Sequence, residues 1–316
     1  MRPAAACAPQ KRVPDFFIVG HPKCGTTALY ETLKRHPQIY MPDAKEPNFF
    51  SAEWQTSDGP PETLDDYLSL FNAAKPEQRI GEASAFYLAS CNAASGIAST
   101  QPAAQIIAIL REPASFLYSL HLQFVQSDFE TEKNLRKALS LEDVRRQGRH
   151  VPRSASNWQR RLLYADHVRY VEQLHRYHAL FPSEQVMVII YDDFRRDNKT
   201  TVKAVLRFLG VDDTSPIDMA EVNPTVRVRS RYLNHIIYRE QGPVWRAATE
   251  AVKVFLPRRL RRYLWQSRHR VIYGDPRPPD ERLMVELRRR FKPEVVALSE
   301  YLDRDLMALW GYDSIG

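Results

Sequence analysis

Cysteine is scarce in this chain. Only Cys7, Cys24 and Cys91 occur among 316 residues, an odd number, widely spaced and never in a CxxC pair, so neither a disulfide framework nor a structural zinc site is expected. Glycine is also scarce, 11 residues against 22 prolines, which excludes a collagen-like chain. No run of about 18 uncharged apolar residues occurs. The opening MRPAAACAPQKRVPDFF lacks the apolar core of a secretory leader. These absences lead one to expect a protein of a reducing compartment, cytoplasmic or peripheral at a membrane, rather than one that is exported or spans a bilayer. No helix-turn-helix, zinc-finger or RNA-recognition pattern accompanies the arginines, so nucleic acid is not expected as a partner.

What is present is the composition of an ordinary globular protein, 44% hydrophobic and 26% charged. At roughly 150 residues per domain the length suggests two units, but α/β domains reach this length with helical insertions. The expectation is a flexible stretch over 1–14 and a single domain over 15–316. Charge is uneven. The total is 45 basic against 38 acidic residues, net +7, yet the chain up to Asn223 holds 26 basic and 27 acidic residues and the remainder 19 and 11. Between Arg227 and Arg270 there are 12 basic and 2 acidic residues, with Arg258, Arg259, Arg261 and Arg262 close together. Such a segment fits an anionic partner, for instance an anionic membrane met through Arg258–Arg262, or a solvated helix face of a basic protein.

Residues 15–19 (DFFIV) form a short apolar run that stops at Gly20, and TTALYETLKRH follows, with Leu29 and Leu33 four apart and Pro37 just beyond. That is strand, tight loop, helix. An irregular stretch from Pro42 to Pro76 reads as an insertion on the substrate side. Strands are expected over 79–83, 105–110 (QIIAIL) and 185–191 (QVMVIIY), the last two being continuous apolar runs of the kind buried on both faces of a parallel sheet. A helix should leave Pro113 and end near Phe124. The polar stretch 123–156 reads as a flap with a helix over 135–147. Helices are expected over 158–180, over 202–209 with Gly210 at the C′ position, and over 280–310. Strands alternating with helices imply a three-layer α/β fold with a central parallel sheet and ligands outside the carboxyl ends of its strands.

Gly20-His21-Pro22-Lys23-Cys24-Gly25-Thr26-Thr27 lies between the first strand and a helix whose amino end carries unpaired N–H groups and positive partial charge. Gly25 lets the backbone approach an anion, Thr26 and Thr27 add hydroxyls to their amides, and Lys23 supplies a mobile charge. In the nucleotide-triphosphatase loop GxxxxGK[S/T] the lysine follows the last glycine; here it precedes Gly25 by two positions. Nor does an apolar strand end plainly in a magnesium-binding Asp, although Asp192 and Asp193 after QVMVIIY leave a kinase or NTPase using ATP and Mg as an alternative. A basic membrane- or polyanion-binding protein is another.

PKCGTTALYETLKRHPQI resembles the phosphosulfate loop of sulfotransferases that use 3′-phosphoadenosine 5′-phosphosulfate (PAPS), where PK[S/A/G/C]GTT opens the first helix. LREPASFLYSLHLQF is similar to the 3′-phosphate motif of that family, in which an Arg at a strand end and a Ser eight residues later hold the phosphate; Arg111 and Ser119 have that spacing. Lys45-Glu46-Pro47-Asn48-Phe49-Phe50 looks like the KEPxFF segment of the carbohydrate and heparan-sulfate type enzymes and their bacterial relatives, where the Glu is a general base. Gly81-Glu82-Ala83-Ser84 resembles their GE[K/A]S segment, with Ala83 where the heparan-type enzymes carry a lysine. The resemblance spans most of the chain from Asp15, without support over 52–78 and 130–157. It implies a P-loop-like phosphosulfate-binding loop on a parallel sheet. It also implies PAPS as co-substrate, PAP as product, no metal, and a small-molecule, glycan or glycolipid acceptor. Glu46 and Lys23 would be catalytic, and Pro22, Lys23, Cys24, Gly25, Thr26, Thr27, Arg111, Ser119, Arg227 and Arg229 would bind the nucleotide. Oligomeric state is not legible.

Three further residues enter as expectations. His121 follows Ser119 and could face the cleft as a second acid or base. His175 and His178, three apart with no third ligand, read as surface residues. Cys24 reads as a small residue that fits the turn, with the helix end and Lys23 favouring its thiolate.

Overall fold

The computed structural model describes residues 12–51, 63–214, 227–228, 273–274 and 278–315. These fall into two compact units: one from residues within 1–112, 166–222 and 292–313, the other from residues within 113–165, 223–291 and 314–316.

The first unit is built on a parallel sheet. Strand β1 (Phe16–Gly20) is buried along its whole length and runs through a tight loop into helix α1 (Thr26–Lys34), which buries Ala28, Leu29, Tyr30 and Leu33. A two-residue strand β2 (Ile39–Tyr40) follows, then helix α2 (Leu64–Ser69), strand β3 (Arg79–Ala83), helix α3 (Ala93–Thr100) and strand β4 (Gln105–Leu110), buried from Ile106 onward. After the excursion into the second unit the chain returns through helix α7 (Tyr170–His178), strand β5 (Val186–Ile190), helix α8 (Tyr191–Arg196) and helix α9 (Asn198–Phe208). Asp197 caps α9 by accepting from Thr200 N at 3.0 Å, and Gly210, at φ +67, ends it in the left-handed conformation glycine adopts without penalty. The spatial order is β2-β3-β1-β4-β5, every pair parallel, with Ile18 opposite Ala83 on one side and Ile107 on the other. The apolar runs of β1 and β4 suit strands covered on both faces. Since β3 and β4 lie on opposite sides of β1, the strand order reverses at β1, and the crevice outside the carboxyl ends of β1, β3, β4 and β5 is where this architecture places ligands.

The second unit holds helices α4 (Pro113–Gln126), α5 (Leu135–Ser140) and α6 (Glu142–Arg146) and an antiparallel pair, β6 (Arg227–Val228) with β7 (Tyr273–Gly274). Helix α10 (Glu281–Tyr301) begins in the second unit and ends in the first, where α11 (Leu306–Trp310) follows. The stretch expected as a flap carries a core of its own. Arg145 makes a bidentate pair with Glu130 at 2.7 and 2.9 Å, both side chains at most 1% exposed, and Tyr164 Oη donates to the same carboxylate at 3.2 Å. The single helix expected over 158–180 is instead two 3₁₀ segments (Arg153–Leu162 and Tyr164–Val168) before α7. Leu162, Leu163 and Tyr164 are all buried where these segments meet.

Candidate active site

At the end of β1 the backbone turns through Gly20 to Gly25 into α1. His21 N donates to Ile109 O at 2.8 Å, tying the loop to β4, and Cys24 N donates to His21 O at 3.3 Å. Gly25 sits at φ +89, and a Cβ there would come within 3.0 Å of the Phe194 ring, so the turn needs glycine for both conformation and space. The first i→i−4 bond of α1 runs from Leu29 N to Gly25 O, which leaves the amides of Thr26, Thr27 and Ala28 ahead of the helical ladder, where a negative group is favoured.

The loop itself carries a buried neutral imidazole. His21 is fully buried, its Nε2 is 2.6 Å from Gln173 Oε1, and the Gln173 amide donates to Asp166 O at 2.9 Å and His167 O at 3.3 Å. Those two donations orient Oε1 toward His21, so His21 Nε2 carries the proton. Burial, aided by His167, pushes the His21 pKa down to about 3. The ring lies against Tyr170, whose hydroxyl donates to Arg111 O at 2.9 Å.

Lys23 is half-buried. Burial and then the Arg111 guanidinium hold its ammonium below the usual lysine range, because two cations share the loop. Arg111, at the end of β4, donates from Nη1 to Lys23 O at 3.1 Å and lies over the Tyr191 ring at 4.8 Å. It therefore braces the backbone of the loop from behind. Cys24 does not behave as its neighbours suggested. The thiol is fully buried, and burial pushes its pKa up to about 12 against the opposing pull of Arg111 and Lys23. Desolvation of the thiolate outweighs the helix end, and Cys24 stays a neutral, small filler of the turn.

Glu46 reaches this loop through its neighbour. Lys45 Nζ donates to Glu46 Oε1 at 2.8 Å and to Thr27 Oγ1 at 3.0 Å, a bridge that puts the Glu46 carboxylate beside the start of α1. The segment 45–50 is held by the end of β3 and the residues after it: Glu46 N donates to Ala83 O at 3.0 Å, Asn48 N to Ser84 Oγ at 3.0 Å and Phe50 N to Tyr87 Oη at 3.2 Å. Glu46 and Asn48 both take positive φ, 59 and 53.

In the first unit, then, Pro22, Lys23, Cys24, Gly25, Thr26, Thr27, Glu46 and Arg111 come together at the carboxyl ends of β1, β3 and β4. Ser119 belongs to α4 in the second unit; it is 3% exposed and its buried hydroxyl has no hydrogen-bond partner. Arg227 lies on β6, paired with Gly274, while its side chain, Arg229 and the group Arg258 to Arg262 lie outside the described residues. His121 is not turned to a cleft: Nδ1 is 2.9 Å from Tyr164 Oη and Nε2 3.2 Å from Lys133 O, and burial lowers its pKa. His175 and His178 pack on Tyr301. Asp192 accepts from the Trp310 indole at 2.9 Å and Asp193 pairs with Arg196 and Arg304 at 2.8 and 2.5 Å, so the carboxylates that left room for a magnesium-dependent reading are already engaged. Sequence reasoning missed the Lys45 bridge, the role of His21 inside the loop, and its distant supports Gln173 and Tyr191, which carry no local pattern.

Residues 13–235 match the sulfotransferase domain family. Carbohydrate sulfotransferase 15 of Mus musculus is 27% identical over 292 residues, covering 77% of this chain and 51% of that protein; the chain thus spans about half the length of this curated relative. The membrane-associated sulfotransferase kil1 of Dictyostelium discoideum is 34% identical over 107 residues, 32% of this chain and 21% of that protein. The crystal structure of a sulfotransferase from Alicyclobacillus acidocaldarius is 27% identical and superposes with a TM-score of 0.65, covering 94% of this chain and 98% of that one. These relatives overturn the expectation of a cytoplasmic protein, since one of them is membrane-associated. Among the described residues no helix is long and apolar enough to cross a membrane. That is a property of those helices and does not locate the protein.

Proposed function

Since the chain belongs to the sulfotransferase family, we propose that it transfers the sulfuryl group of PAPS to a hydroxyl of a carbohydrate or glycolipid acceptor and releases PAP. The observation that carries this reading is the Lys45 bridge, 2.8 Å to Glu46 and 3.0 Å to Thr27, which joins a carboxylate to the opening of an anion-binding helix. The acceptor oxygen attacks sulfur, the bond from sulfur to the bridging phosphate oxygen breaks, and Glu46 takes the acceptor proton. Lys23 and the amides of Gly25 to Thr27 stabilise the sulfuryl oxygens and the departing phosphate. Arg111 and Pro22 to Thr27 are the nucleotide-holding residues of the first unit. Ser119 is kept as a phosphate ligand on the strength of its unpaired buried hydroxyl, and Arg227 and Arg229 as nucleotide contacts on the resemblance alone. The two units are read as one sulfotransferase domain.

Positive potential of the kind Mg²⁺ supplies in phosphoryl transfer comes here from Lys23 and aligned amides, so turnover with PAPS should survive a chelator, whereas a kinase using ATP would stop. Loss of one preorganised donor costs on the order of 3 kcal/mol, so Lys23→Ala should lower turnover by roughly 10² or more. Near-wild-type turnover in that variant would show the loop is not the sulfuryl site. Glu46→Gln should depress kcat while calorimetry finds PAP affinity nearly intact; equal losses in both would make Glu46 structural. Radiolabelled sulfate transfer to extracted glycans and lipids identifies the acceptor.

A further inference from the structure

Glu82 is a carboxyl that stability alone does not explain. It lies on β3 and is fully buried; its Oε2 accepts from Tyr67 Oη at 3.1 Å, and the Ser84 and Tyr87 hydroxyls also bear on the carboxyl. Taking a carboxylate wholly out of water is costly even where hydroxyls bond to it. Burial pushes its pKa up to about 7, against the pull of hydrogen bonds from Ser84, Tyr87 and Tyr67 and with a small push from the Glu46 carboxylate.

Tyr67 belongs to α2, inside the stretch 52–78 that the family resemblance does not cover. Its ring is fully buried and stacks on Phe49 with centroids 4.6 Å apart and planes within 11°; Phe50 meets the same ring edge-on at 5.3 Å. Phe49 and Phe50 end the segment that carries Glu46. That segment is thus gripped on both sides, by backbone bonds to Ala83, Ser84 and Tyr87 and by the Tyr67 ring. The far end of that ring, its hydroxyl, is held by the bond to Glu82.

We propose that Glu82 is a positioning residue which, through Tyr67 and Phe49, fixes the Glu46 loop in the geometry that proton abstraction requires. The inference rests on Glu46 being the base and adds what holds it there: the α2 insertion is a clamp on that loop. A misplacement of about 1 Å is enough to cost on the order of 10² in rate.

The test is a set of variants assayed for kcat, KM for PAPS, PAP affinity and Tm. Glu82→Met removes the acceptor but keeps the volume. It should lower kcat at least about tenfold while KM for PAPS and PAP affinity hold and Tm does not fall. Glu82→Gln, which still accepts from Tyr67, should restore most of kcat. Tyr67→Phe keeps the stack and deletes only the hydroxyl, and should repeat the Glu82→Met result; it also serves if Glu82→Met does not fold. In a Glu46→Gln background, Glu82→Met should lower kcat no further, because it acts through Glu46. Full kcat in Glu82→Met or Tyr67→Phe, a Glu82→Gln loss as large as that of Glu82→Met, a loss that multiplies with Glu46→Gln, or a parallel loss of PAP affinity would each overturn the proposal. Wild-type kcat in Glu46→Gln by itself would instead remove the base on which it rests, and the two failures are told apart by that single variant.

Discussion

The Glu46 backbone is left-handed, at φ 59, in a residue with no special tolerance for it, and its neighbour Gly25 does the same at φ +89 with none of the penalty. The site is therefore assembled from turns whose shape individual residues permit or resist. Gly25→Ala combines an unfavourable φ with a Cβ 3.0 Å from Phe194 Cδ1 and Cε1, so it should cost about 1–2 kcal/mol of stability and weaken PAP binding, read by thermal denaturation and calorimetry. Cys24 offers a second check at this scale. Its thiol is fully buried and its pKa raised to about 12, whereas Cys91 is exposed. A thiol-specific reagent at neutral pH should label Cys91 in the folded protein and reach Cys24 only after unfolding; rapid labelling of Cys24 in mass spectra would mean that the turn opens.

The stretch between α4 and α7 shows how a polar run becomes an ordered element. Glu130 and Arg145, fifteen residues apart, close on each other in full burial, and Glu142 accepts from Ala165 N at 2.7 Å and from Arg290 at 3.2 Å. A buried pair adds little net stability over apolar residues of similar shape, but removing one partner strands the other charge. Arg145→Met should therefore destabilise by about 3–5 kcal/mol in denaturant titrations, and the double variant Arg145→Met with Glu130→Leu should recover most of that. If the single variant cost nothing, the carboxylate would have to be reaching water. The β2 edge strand belongs to this scale as well, since two residues carry no periodicity.

For the molecule as a whole, buried titratable groups set how stability depends on pH. Between the ordinary carboxyl value of 4.5 and about 7, folded Glu82 holds a proton that the unfolded chain releases, so its contribution weakens stability as pH rises through that window. His21 acts at the acid end. Between 6.5 and about 3 the unfolded chain takes up a proton that the folded imidazole refuses, so stability falls as pH drops. Across the overlap the two oppose each other. Relative to Glu82→Gln, the parent protein should gain stability as pH is lowered from 7 to 4.5, measured as a shift of the difference in denaturation midpoint in the parent's favour; a constant difference would mean Glu82 is not the buried acid described. What the sequence determined by itself was local: the β1 and β4 apolar runs, the lysine-bearing turn before Thr26, the glycine end of α9 and the KEPNFF and LREPAS segments are each readable because period and turn chemistry act between near neighbours. What only the tertiary structure decided was every relation across the chain. Lys45 joins Thr27 to Glu46, Gln173 orients His21, Tyr67 meets Phe49 and Glu82, and Cys24 is kept a thiol. Burial and side-chain convergence are properties of the packed sheet and its loops, and no stretch of neighbouring residues encodes them.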